Sequence, residues 1–131
     1  MLPRRYSYAF EFRHSGWYAP RIYDLLTTHD VALCLTDHHQ APSPWVVTAR
    51  HVYVRGHGPG GHYSGNYPDR TLREWAAHIR KWRRQGQMVF VYFDNDQKSA
   101  APTDARKLNR LLAIARNPNQ GRINALSASG Q

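Results

Sequence analysis

Residues 89–96 read VFVYFDND, passing from five apolar or aromatic side chains to two carboxylates and an amide with no glycine or proline between. Valine, phenylalanine and tyrosine in such a run favour a buried strand. A strand that is apolar along its length and acidic at its far end needs a reason for the acids to gather there. Folds of parallel strands and helices supply one, because their ligands bind at the carboxyl ends of the strands.

Three other segments end in the same manner. Residues 6–12 (YSYAFEF) alternate aromatic and non-aromatic side chains, the period of a strand, and lead to Arg13 and His14. Residues 31–36 (VALCLT) form a short buried run that stops at Asp37, His38 and His39. Residues 51–57 (HVYVRGH) alternate again and carry Arg55 and His57 near their end.

Helical signals lie between these strands. Residues 20–29 (PRIYDLLTTH) set Ile22, Leu25 and Leu26 at helical spacing, with Pro20 suited to the first turn. Asp69 is the expected cap of a helix that runs to about Gln85 and is closed by Gly86. Its apolar stripe is Leu72, Trp75, Ala76, Ile79 and Trp82. Arg73, Arg80, Lys81, Arg83 and Arg84 read as a solvated face, several of them suiting the helix dipole. A last helix starts around Pro102-Thr103-Asp104 and buries Ala105, Leu108, Leu111, Leu112 and Ala115. The connection 43–49 (SPWVVTA) is too short for a crossover helix and predicts a single turn. The loop 58–68 (GPGGHYSGNYP) lacks the Lys-Ser/Thr pair of a P-loop and the GxGxxG spacing, so its glycines predict a tight, irregular connection. Residues 116–131 are polar and unpatterned and predict a disordered tail after a domain of residues 1–115. Strand and helix thus alternate four times, with one helix reduced. This is the α/β pattern of a parallel sheet with right-handed crossovers.

At 131 residues the chain suits one domain. No apolar run is long enough to span a bilayer. The opening MLPRRYSY has no apolar signal stretch, which makes the cytoplasm the expected location. Cys34, the single cysteine, lies in an apolar run and reads as a small buried hydrophobe. A net charge of +9 suits anionic partners such as nucleic acid, phosphorylated metabolites or acidic surfaces. A basic coat without a partner fits the same balance.

Alternation orients the candidate site. In the first strand Tyr6, Tyr8, Phe10 and Phe12 share the face expected beneath the helices, and Ser7, Ala9, Glu11 and Arg13 share the inner one. In the third, Tyr53, Arg55 and His57 point opposite to Val52 and Val54. A buried Glu11 needs a cation, which Arg13 or Arg55 supplies. Arg13, Arg55, His14 and His57 are candidates to cradle a phosphate or carboxylate, since arginine offers such anions a planar fork. The structural alternative has Arg13 and Arg55 only neutralising Glu11, Asp37 or Asp94. Glu11, Asp94 and Asp96 are candidate general acids or bases, with Asp37, Asn95 and Tyr63 as further binding residues. Asn95 and Asp96 also suit a turn that caps the next helix. Tyr63 and Tyr67 are placed either to stack on a base or sugar or to pack the loop. Glu11, His14, Asp37, His38, His57 and Asp94 include metal-ligand types, but no tight ligand spacing such as HExxH is present and nearby arginines repel a cation. No metal or other cofactor is therefore expected.

In order, YAFEFRH (8–14) with Trp17, VALCLTD (31–37), YVRGHG (53–58), YSGNYPDRTLREWA (63–76) and VYFDND (91–96) resemble the YecE-like family, also called domain of unknown function seventy-two. The resemblance covers nearly all of the chain before the tail. It implies a TIM-like (β/α) barrel without a firmly established activity. A full barrel needs about 250 residues, so the chain looks like a half-barrel, the C-terminal four βα units. Two departures stand out: family members tend to carry a bulkier residue at Gly56, whose loss is expected to loosen the strand end, and Asn at Asp94. A half-barrel leaves open edges and an apolar inner face. Self-association, a missing half on another chain, and an inactive fragment are the three outcomes this allows, with a homo-oligomer expected. The functional expectation is an anion site at the strand ends for a phosphorylated small molecule, nucleotide or nucleic acid. The alternatives are a non-catalytic nucleic-acid-binding or assembly protein and a metal-dependent hydrolase of endonuclease type.

Overall fold

The computed structural model of the chain describes residues 6–114 and 125–127. Strand and helix alternate, except between β2 and β3, as β1 (Ala9–Phe10), α1 (Pro20–Thr28), β2 (Ala32–Thr36), β3 (His51–Gly56), α2 (Asp69–Arg84), β4 (Met88–Phe93), α3 (Ala100–Ile114) and β5 (Ala125–Ser127). All ladders are parallel, and the strands lie in the order β1-β2-β3-β4-β5. The strand–helix alternation and parallel sheet agree with the α/β half-barrel expected from the sequence. No helix among the described residues is long and apolar enough to cross a membrane.

One face of the sheet holds the core. Leu33, Leu35, Val52, Val54, Val89, Val91 and Phe93 pack beneath Leu72, Trp75, Ile79 and Trp82 of α2 and Ala101, Ala105 and Leu108 of α3. Period-2 alternation therefore sends Cys34, Tyr53, Arg55, Phe90 and Tyr92 to the other face. There they line a trough of about 400 Å³ with Ser7, Ala9 and Glu11. The register holds this arrangement in line, with Cys34 opposite Tyr53 and Tyr53 opposite Phe90.

Several details differ from the sequence reading. β1 is two residues long, and Tyr6 and Phe10 are exposed, because this edge strand has a neighbour on one side only. Residues 43–49 form no turn of helix. They run beside β2 instead, where Ser43 Oγ accepts from Thr36 N at 2.8 Å and Thr48 Oγ1 accepts from Leu33 N at 2.8 Å. These hydroxyls satisfy one strand amide at each end of β2. The N-cap of α2 is Pro68, and Asp69 is its first helical residue, where its charge still suits the dipole and accepts from Lys107 Nζ at 3.2 Å. Arg80 does not belong to a solvated face, since its Nη2 donates to the Leu111 carbonyl at 2.5 Å and ties α2 to α3. Gly86 ends α2 with φ +85°, a conformation that glycine adopts freely. The polar tail contains a fifth strand at Ala125–Ser127; Ala115, expected on the buried side of the last helix, lies with the remainder of the tail outside the described residues.

Gly56 leaves no slack at the end of β3. A Cβ there would sit 2.8 Å from Tyr67 Oη and 2.9 Å from Trp75 Cη2, so loop and helix aromatics fill the space that a bulkier residue would take. The strand end is packed rather than loosened. Gly56→Leu is expected to lower stability by about 1–3 kcal/mol, as overpacking of a filled core does, read as a lower urea midpoint at unchanged slope.

Candidate functional site

The strands present their polar ends in one place. Arg55 leaves β3 on the trough side and donates through Nη1 to Glu11 Oε2 at 2.9 Å and through Nη2 to Asp94 Oδ2 at 2.5 Å. It thereby spans from the continuation of β1, over β2, to the continuation of β4. Arg13 Nη2 contacts the other Glu11 oxygen at 3.0 Å, and its Nη1 donates to Tyr63 Oη at 3.4 Å. Thr36 Oγ1 adds a bond to Glu11 Oε1 at 3.4 Å. Partial burial opposes the charge on Arg55, but hydrogen bonds and charge from Glu11 and Asp94 outweigh it and hold its pKa above the usual arginine value. Burial, aided by Glu11, pushes the Cys34 thiol up to about 12, which keeps it protonated and inert on the trough floor.

His57 is fully buried at the centre. Its Nδ1 lies 3.2 Å from Thr36 Oγ1 and 3.4 Å from Asp37 Oδ1. Its Nε2 has no hydrogen-bond partner and faces Glu11 Oε1 at 3.8 Å and Asp94 Oδ2 at 4.0 Å. Nδ1 is thus engaged by Thr36 and Asp37, and Nε2 is directed into the carboxylate cluster. Asp37 is held in turn by the His57 amide at 2.6 Å and by the Tyr67 hydroxyl. Burial and the Asp37 charge push the Tyr67 pKa upward, so this hydroxyl stays a donor.

The loop 58–68 covers the cluster from one side. Gly61 rests directly on the end of β2, where a Cβ would sit 2.5 Å from the Asp37 carbonyl oxygen. Tyr63, with φ +66°, takes a left-handed backbone that is costly for an aromatic residue. That conformation sets its ring edge-on to His57 at 4.8 Å and to His38 at 5.5 Å. His38 is buried as well, and burial first, with Arg13 and the neighbouring imidazoles of His57 and His39, lowers its pKa.

Glu11, Arg13, Asp37, Arg55, His57, Tyr63 and Asp94 thus share one cluster. His14 lies apart from it, its Nδ1 accepting from Gly16 N at 3.0 Å to cap the turn Ser15–Trp17. Asp96 opens the turn that leads to α3, its carbonyl accepting from Ser99 N at 3.2 Å. Asn95 has the opposite parity to Asp94 and is fully buried beneath the cluster, donating to Gly65 O and Asp104 Oδ2, each at 2.7 Å. Among the described residues no set of three or more His, Cys, Asp or Glu is grouped as metal ligands would be.

Sequence reasoning missed Thr36 and Asp104. Thr36 falls on the inner parity of β2, two residues after Cys34, which was signal enough to include it. Asp104 read only as part of a helix start, yet it is fully buried and accepts from Asn66 Nδ2, Tyr67 N and Asn95 Nδ2 at 3.2, 3.1 and 2.7 Å. It anchors both the loop and the end of β4 to α3. Asp104→Ala strips the buried Tyr67 amide of its acceptor and leaves Asn66 and Asn95 with only the Ala100 and Gly65 carbonyls. The expected cost is about 3 kcal/mol or more by chemical denaturation, with faster amide exchange across the loop.

The comparisons agree with this architecture. The family model described as "Protein of unknown function DUF72" matches residues 1–126. A DUF72 family protein from Enterococcus faecalis has a similar solved structure, with a TM-score of 0.74 and 20% identity over 90% of this chain and 52% of its own. Another from Thermotoga maritima gives a TM-score of 0.75 and 23% identity over 82% of this chain and 46% of its own. The chain therefore spans about half the length of these solved relatives. No curated protein matches it. With nearly its whole length matched by the family model and its fold shared with solved members, the chain belongs to the DUF72 family.

Proposed function

We propose that the strand-end cluster binds a small molecule carrying one anionic group, a phosphate or carboxylate, on a polar body. The supporting observation is His57 Nε2, a fully buried polar atom without a partner, which faces the acidic side of the cluster. Buried polar atoms are nearly always satisfied, so an orphan at the mouth of a parallel sheet is suited to a ligand donor.

Charge bookkeeping sets the ligand class. Arg55 has both terminal nitrogens bound to carboxylates and serves as a positioning residue for Glu11 and Asp94. Arg13 is more exposed, with 39% of its side chain accessible, and its contacts with Glu11 and Tyr63 leave further N–H donors for an anion. The three carboxylates Glu11, Asp37 and Asp94 outnumber Arg13 and Arg55 by one charge, so an anion is held locally by the outlying N–H donors of Arg13, and a string of phosphates is repelled. This favours a nucleotide or sugar phosphate over a nucleic-acid strand at this site. In a catalytic version of the site, His57 is the base that takes a proton from the ligand, while Glu11 and Asp94 hold the resulting imidazolium.

The test is calorimetric titration with inorganic phosphate and a nucleoside monophosphate. Arg13→Ala is expected to weaken binding by about tenfold to a hundredfold, the size of a lost charge-assisted bond, with the melting temperature little changed. His57→Gln should weaken the nucleotide more than phosphate. Arg55→Ala should instead lower the melting temperature, by stranding two carboxylates. Equal affinity of wild type, Arg13→Ala and His57→Gln for both probes would overturn the proposal.

A further inference from the structure

We propose that the trough face of the sheet is an interface for a second copy of this chain, arranged about a two-fold axis parallel to the strands. The inference does not rest on the ligand proposal. All-parallel sheets are normally covered on both faces. Among the described residues the helices cover one face only, and the other is an open trough with Tyr53, Phe90 and Tyr92 half-buried and Ser7 exposed at its rim. Met88, at the start of β4 and of the same parity as Phe90, is 63% exposed.

Direction and charge select a second copy as the occupant. Among the described residues β1 and β5 end the sheet, and each has a ladder on one side only. A half-turn about an axis along the strands keeps every strand pointing the same way. It sets β5 of one copy beside β1 of the other, and does so twice, so one kind of chain meets both open edges and closes the assembly. Two chains of charge +9 repel each other unless the joined surface is neutral. The trough meets that requirement. Below the mouth it offers Ser7, Ala9, Cys34, Tyr53, Phe90 and Tyr92, and at the mouth Arg55 is offset by Glu11 and Asp94. The ring of His51 at the lower end is engaged through Nε2 with the Tyr8 carbonyl at 2.8 Å. The solved relatives carry about as much chain again beyond the matched part, and the second copy supplies a comparable length.

Light scattering on the eluting 131-residue chain tests the arrangement. The expected mass is twice 15.1 kDa. Phe90→Lys, which places a charge in the trough, should weaken the dimer at least tenfold. Ser7→Arg does so at an exposed position where the monomer fold is not at stake, and circular dichroism should match the wild type. A single-chain mass at every concentration would overturn the proposal, as would a dimer that survives both substitutions. Pairing only with a separate, different chain would overturn it too and assign the trough to that chain.

Discussion

The guanidinium of Arg55 is the point on which the mouth of the sheet depends. It hydrogen-bonds carboxylates from both sides, Glu11 beyond β1 and Asp94 beyond β4, at 2.9 and 2.5 Å. Carboxylates brought this close would repel one another without it. In a half-buried setting the desolvation of such ions offsets much of their attraction, so the network is better understood as fixing geometry than as adding stability. What it fixes is the approach of three strand ends, with His57 enclosed between them.

The fold allows this because alternation divides each strand into two jobs. Val52, Val54, Val91 and Phe93 bind the helices, and the residues between them are free to be polar or small. The end of β4 shows the division most sharply. Asp94 faces the cluster, whereas Asn95, one residue on, passes through the sheet to Asp104 of α3. One neighbour joins the charge network and the next anchors it to α3. The loop 58–68 is pinned from the same side, since Tyr67 bonds Asp37 through its hydroxyl and Asp104 through its amide.

Much of this was legible in the residues. β3 and β4 were readable almost to the residue, because period and turn chemistry agree there, and the parity of residues 7–13 placed Glu11 and Arg13 on the inner face correctly. What escaped the sequence has physical causes. β5 lies in a polar stretch, and a three-residue strand added at a sheet edge needs no apolar pattern. The segment 43–49 satisfies β2 through serine and threonine hydroxyls, which local propensity reads as turn formers. Arg80 looks solvated by helical phase, but its reach to the Leu111 carbonyl depends on where α3 packs. Asp104 resembles any acid near a helix start, and its burial is a tertiary fact.

The filled space beside Gly56 has a consequence for how this mouth can vary. The position on β3 and the ring of Tyr67 occupy one shared volume, so neither can grow unless the other shrinks. A loop of different shape, transplanted here alone, would leave a void against Trp75 or collide with the strand. Variation of the rim is therefore coupled to a residue buried in the strand behind it. Any attempt to reshape loop 58–68 has to exchange positions 56 and 67 together.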